Sequence, residues 1–173
     1  VTKVALVAYS SKHGSTIGIA EKIGTVLRDR GLQVEVLDVV DVGDPTRYDV
    51  VILGSAVYMG GWRRDASRFL ERHQHALESI PTWLFSSGPT GEFDAEEALK
   101  GWQFPDGLQA VLELVRPRDK VVFHGALHPE TLGTIERLIV RGVGAEMGDF
   151  RDFEAIGAWA NAIADELVSP CCD

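Results

Sequence analysis

The chain is poor in cysteine: its two, Cys171 and Cys172, are neighbours at one end of 173 residues. Adjacent thiols close no loop and match no metal-ligand or redox spacing, so no disulfide framework and no metal site are expected. Residues 170–173 read as a disordered tail. Positive charge is scarce as well, with 17 Lys and Arg against 26 Asp and Glu and a net charge of -9. That balance argues against a nucleic-acid partner and for solubility. Val50 to Trp62 carries no charge, but it is shorter than the roughly 18 apolar residues of a membrane span, so no transmembrane segment is expected. The beginning has Lys3 and then a strand pattern, without the apolar segment and cleavage site of a signal peptide, and a cytoplasmic location is expected.

Three nucleotide signatures are also missing. GxxxxGK[ST] does not occur, which disfavours a P-loop NTPase, and no GxGxxG follows the first strand. The end of that strand lacks the paired carboxylates of a magnesium-dependent phosphoacceptor site. No Ser-His-Asp or Cys-His spacing marks a nucleophile system.

Alternating strand and helix patterns are present throughout. Val4-Ala5-Leu6-Val7-Ala8 and Tyr48-Asp49-Val50-Val51-Ile52-Leu53-Gly54 are continuous apolar runs, as suits strands covered on both faces. Val34 to Leu37, Pro81 to Ser86 and Lys120 to His124 read as further strands. Ala20, Ile23 and Leu27 fall on one helical face that Gly31 ends. Ala66, Phe69, Leu70, His73 and Leu77 mark a second helix, and Leu132, Ile135, Leu138 and Ile139 a late one. Ile156, Trp159, Ala160, Ile163 and Leu167 mark the last helix, with Asp152 as its cap. Between Gly88 and Pro117 the pattern is irregular, with short helices near Glu96 to Leu99 and through Leu108, Val111, Leu112 and Val115. The expected architecture is α/β: one domain over residues 1–169, a doubly wound parallel sheet of about five strands in order 2-1-3-4-5, helices on both faces.

In such a sheet, ligands bind beyond the carboxyl ends of the strands where the winding reverses, here between the first and third strands. Three loops emerge there. Ser10-Ser11-Lys12-His13-Gly14-Ser15-Thr16 turns from a strand into a helix, offering free N–H groups and a positive dipole end to a phosphate. The same stretch would also serve as an ordinary Ser/Gly turn. Gly54 to Trp62 brings Tyr58 and Trp62 together with paired glycines, which suits a flat ring. For Trp62 the packing role, starting the next helix in the core, stands beside the ring role. Ser86 to Gly91 offers hydroxyls and backbone donors.

Among other polar residues, His13 could add charge to the first loop or face solvent, and His73 lies at a core or boundary position. His75 reads as surface, while His124 and His128 bracket the end of the fifth strand. Arg64, Arg68 and Arg72 form a basic stripe. It reads as a solvated face paired with Asp65 or Glu71, or as a landing place for an anionic substrate or partner.

Ser10-x-x-His13-Gly14-x-Thr16 resembles the phosphate loop of the flavodoxin family, with hydroxyls at Ser10 and Thr16; Lys12 and His13 depart from its usual small residues. The resemblance is closer to the branch of flavodoxin-domain proteins that includes menaquinone-dependent protoporphyrinogen oxidase. Gly54 to Gly60, Phe123 to Leu127 and Gly148 to Glu154 carry it, and in the last Asp149 and Asp152 are expected to cap the helix.

The resemblance implies FMN as cofactor, held by Ser10, Ser11, Lys12, His13, Gly14, Ser15 and Thr16. It adds Ser55, Ala56, Val57, Tyr58, Met59 and Gly60, then Ser86, Ser87, Gly88, Pro89, Thr90 and Gly91. The third loop lacks a stacking Tyr, Phe93 being the nearest aromatic. The ring pocket is expected to be uncharged and free of carboxylates. The activity implied is an FMN-dependent oxidoreductase of the quinone-linked protoporphyrinogen dehydrogenase type, with a quinone or porphyrinogen as substrate. The alternatives are a flavodoxin-type electron carrier serving a redox partner protein, and a binding module without cofactor. No catalytic side chain is assigned.

Overall fold

The computed structural model describes residues 2–58, 60–88, 90, 104–128, 130, 132–133, 140, 142 and 146–168. In chain order the first half contains β1 (Val4–Ser10), α1 (Ser15–Asp29), β2 (Gln33–Asp38), β3 (Val50–Tyr58), β4 (Gly61–Trp62) and α2 (Arg64–Leu77). There follow β5 (Thr82–Ser87), α3 (Gln109–Val115), β6 (Asp119–Phe123), β7 (Ala126–Leu127), β8 (Gly148–Asp149) and α4 (Phe153–Val168). The expected helix at Glu96 to Leu99, the late-helix residues Ile135, Leu138 and Ile139, Phe93, and the cysteines lie outside the described residues.

The main sheet runs β2-β1-β3-β5-β6, with every neighbouring pair parallel. Two-residue β4 folds back antiparallel on the end of β3, so the five parallel strands follow the order 2-1-3-4-5 read from the sequence. The apolar runs explain the layering. Along β1, Ala5 and Val7 join α1 and α4 in one core, while Leu6 and Ala8 join α2 and α3 in the other. β3 divides likewise, Val50 and Ile52 against Val51 and Leu53. A strand with helices on both faces has no solvent side, so alternation disappears. Each fully buried Leu, Ile or Phe contributes on the order of 1.5–3 kcal/mol. The two-sided core therefore makes β1 and β3 a rigid floor beneath the loops at their ends.

Helix ends follow from local chemistry. α1 stops at Gly31, whose φ of 90° lets the chain turn so that Leu32 donates to the Leu27 carbonyl at 3.1 Å. α4 starts at Asp152, whose Oδ1 accepts from the Glu154 and Ala155 N–H groups, both at 2.9 Å. Asp149 does not cap this helix. It lies in β8 and pairs with Arg151, whose guanidinium at 2.5 Å holds the carboxyl below its ordinary range. Gly54 is required by packing: a Cβ there would sit 2.0 Å from the buried Phe85 ring.

Candidate functional site

β1 and β3 end side by side, Ser10 opposite Ser55, at the place where the sheet's winding reverses. Beyond Ser10 the loop is closed by a bond from the Gly14 N–H to Ser11 Oγ at 3.1 Å. Gly14, at φ 86°, then delivers the chain into α1. The first-turn N–H groups of Ser15, Thr16 and Ile17 have no intrahelical partner. Thr16 is fully buried, and its hydroxyl has no hydrogen-bond partner among the described residues. An orphaned hydroxyl under a helix N-terminus costs stability and suits an anion that would accept its proton.

Ser15 ties the α1 loop to the end of β5 and to β7. Its Oγ accepts from the Ala126 N–H at 2.8 Å and lies 3.2 Å from Ser87 Oγ. Arg151 adds a bond to the Ser15 carbonyl at 3.3 Å, in space left by Gly18, where a Cβ would lie 2.3 Å from Nη1. Gly125 packs equally closely, its Cβ position lying 2.7 Å from the Gly88 carbonyl oxygen. The loop is thus braced by the protein's own groups.

The cavity among these loops measures about 90 Å³. Small-molecule pockets run to roughly 300–1,000 Å³, so a whole nucleotide would extend out of it past Tyr58. Of the residues expected to bind, Ser11, Lys12, His13 and Ser15 line it on one side. Ala56, Val57 and Tyr58 line it on the second, and Ser87 and Gly88 on the third. Tyr58 is 39% exposed at the mouth, with the Lys12 ammonium 5.2 Å from its ring centre. Gly60 stands at φ 74° in the turn between β3 and β4.

The remaining expected residues, Gly14, Thr16 and Gly60 among them, do not line the cavity. Ser10, Ser55, Ser86 and Thr90 are buried. Ser86 Oγ accepts the Trp62 indole N–H at 2.9 Å, and Trp62 packs on Phe104 with ring centres 5.2 Å apart, so Trp62 is a core residue. Met59, Pro89 and Gly91 lie outside the described residues.

The expectation of an uncharged pocket is corrected. Among the described residues no carboxylate lines the cavity, but Lys12, His13 and Arg63 do, on a chain of net charge -9. Arg63 was missed in the sequence because it merges with the stripe that follows; its position just ahead of the helix was the available signal. Gly125, Ala126 and Leu127 also line the cavity, with Leu132 and Val140. Arg64, Arg68 and Arg72 form no ion pair among the described residues, because Asp65 reaches back to Arg63 instead, at 3.8 Å. No helix among the described residues is long and apolar enough to cross a membrane.

A helix N-terminus and two further loops meeting where a doubly wound sheet reverses define an α/β protein with a nucleotide-type crevice. The chain belongs to the flavodoxin domain family, whose model matches residues 6–153. It is similar to protoporphyrinogen IX dehydrogenase (quinone) of Escherichia coli strain K12, 28% identical over 83 residues. That match covers 47% of this chain and 46% of the relative, so the chain spans about half the length of the curated relatives it matches. Among solved structures, an archaeal flavodoxin superposes with a TM-score of 0.63 at 14% identity, covering 96% of this chain and 99% of that one. A flavodoxin of Streptococcus pneumonia TIGR4 gives 0.59 at 19% identity, covering 94% and 99%. At these identities the likeness is one of fold.

Proposed function

We propose that the crevice binds flavin mononucleotide and that the protein is a flavin-dependent oxidoreductase. The buried, unpartnered Thr16 hydroxyl below the free first turn of α1 carries this reading. The residues present fit the group. The first-turn N–H groups and Thr16 would hold the phosphate, Ser11 and Ser15 keep that loop in shape, and Tyr58 offers the exposed face on which a ring rests. When bound, the flavin supplies reversible electron transfer, while the protein sets its access and electrostatic surroundings. The chain's own contribution is a braced phosphate seat, a wall whose described residues carry no carboxylate, and an open mouth beside Tyr58.

Within that class we favour a quinone-linked dehydrogenase acting on a porphyrinogen, supported by the likeness to the E. coli enzyme. The purified protein is expected to be yellow, with a flavin absorption spectrum, and Thr16→Val to be colourless. Protoporphyrinogen with a quinone acceptor is expected to turn over with the wild type and not with Thr16→Val. A colourless wild type that takes up no added FMN would sink the cofactor assignment. A yellow protein that no porphyrinogen reduces would leave the carrier reading, in which a partner protein supplies the electrons.

A further inference from the structure

Arg63 occupies the N-cap of α2, a place where Ser, Thr, Asp, Asn or Gly satisfies the helix and Arg does not. Its φ of -58° and ψ of 140° are non-helical, and its side chain makes no cap. The chain instead turns the guanidinium back across the crevice. The Arg63 N–H donates to Ser55 Oγ at 3.0 Å, and Nε donates to Ser10 Oγ at 3.1 Å. Ser10 and Ser55 are register partners at the ends of β1 and β3, 2% and 0% exposed. Both strands of the reversal point therefore hold this one residue.

Arg63 lines the cavity beside the α1 loop, and its side chain is 28% exposed. Asp65, at 3.8 Å and 44% exposed, pairs with it weakly through solvent and neutralises it only in part. Among the described residues the terminal N–H groups of Arg63 make no hydrogen bond and no carboxylate lines the cavity, leaving a planar, permanently charged fork at the cavity wall. A helix N-terminus carries about half a unit of positive charge, against the roughly -1.5 to -2 of a phosphate monoester near neutral pH. The helix terminus alone leaves most of that charge uncompensated, and Lys12 of the α1 loop supplies only one further cation at the cavity wall.

We propose that Arg63 is the counter-ion of the phosphate in this site and makes the crevice select phosphorylated over unphosphorylated flavin. The inference rests on the flavin reading above. It assigns the missing charge to a side chain from the second loop rather than to the phosphate loop itself. Arg63 fits the task because a fixed fork can take two phosphate oxygens at once, whereas the Lys12 ammonium is a point charge set over the Tyr58 ring.

The test compares FMN with riboflavin on the full chain by fluorescence titration, with inorganic phosphate as competitor. Wild type is expected to bind FMN well ahead of riboflavin. Loss of a charged hydrogen-bond partner should cost Arg63→Gln on the order of 10- to 100-fold in FMN affinity, with riboflavin changed less than about threefold. Phosphate should compete strongly with FMN on the wild type and weakly on the variant. Arg63→Lys is expected to keep part of the preference, and covers the case in which Arg63→Gln folds poorly. Equal losses for both flavins would mean that Arg63 only props Ser10 and Ser55, and would overturn the proposal. An unchanged FMN-to-riboflavin ratio would overturn it too. A wild type that binds neither flavin removes the cofactor reading itself, and this assignment with it.

Discussion

At the scale of single residues, Thr16 is where the proposed flavin site and stability pull in opposite directions. A buried hydroxyl without a partner costs about 1–3 kcal/mol, so Thr16→Val without ligand is expected to be more stable by about 1 kcal/mol while losing FMN. Urea unfolding and flavin titration on the same preparation check both halves. His73 gives a pH window. Burial against Phe69, aided by Arg72 and opposed by Asp44, pushes its pKa below the ordinary 6.5. The unfolded chain therefore binds this proton first as pH falls. The stability due to neutral His73 is complete above about pH 6.5 and is lost as pH drops through the folded value. His73→Leu should flatten that part of the stability profile, measured as Tm between pH 7 and 5.

At the scale of elements, two glycines fix how strands and corners meet. Gly54→Ala would drive a methyl into the Phe85 ring, and overpacking in a core already filled on both faces should cost about 3 kcal/mol. Gly125→Ala would press on the Gly88 carbonyl and separate β7 from Ser15. Its signature would be faster exchange of the Ala126 amide, an effect that a change in core packing at Gly54 would not confine to that corner.

The strands were legible because doubly covered strands write themselves as unbroken apolar runs, and Gly31 and Asp152 were legible because caps have local chemistry. Arg63 was not. Sequence spacing set it beside Arg64, Arg68 and Arg72, whereas a non-helical backbone at one residue sends its side chain the other way. Trp62 was undecidable for a related reason: its partners Ser86 and Phe104 come from later segments that only the fold brings near. Nor could spacing show that Asp149 would meet Arg151 rather than a helix end.

At the scale of the molecule, charge is distributed against the average. A chain of net charge -9 places cations around its crevice and a row of arginines along α2. Because those arginines pair with nothing among the described residues, replacing all three with Gln should move stability by less than about 0.5 kcal/mol. Thermal unfolding of the triple variant measures this, and a larger loss would show that the row has a packing role.

Trp62 has an optical consequence. Its indole is held rigidly beneath the crevice by Ser86 and Phe104, away from water. A yellow chromophore seated a few side chains above would absorb the light that this indole emits. Tryptophan emission should therefore dim as flavin is added and brighten as it leaves, and Trp62→Phe should blunt that response. If the crevice holds a flavin as proposed, that response gives a gauge of occupancy readable in solution without a label.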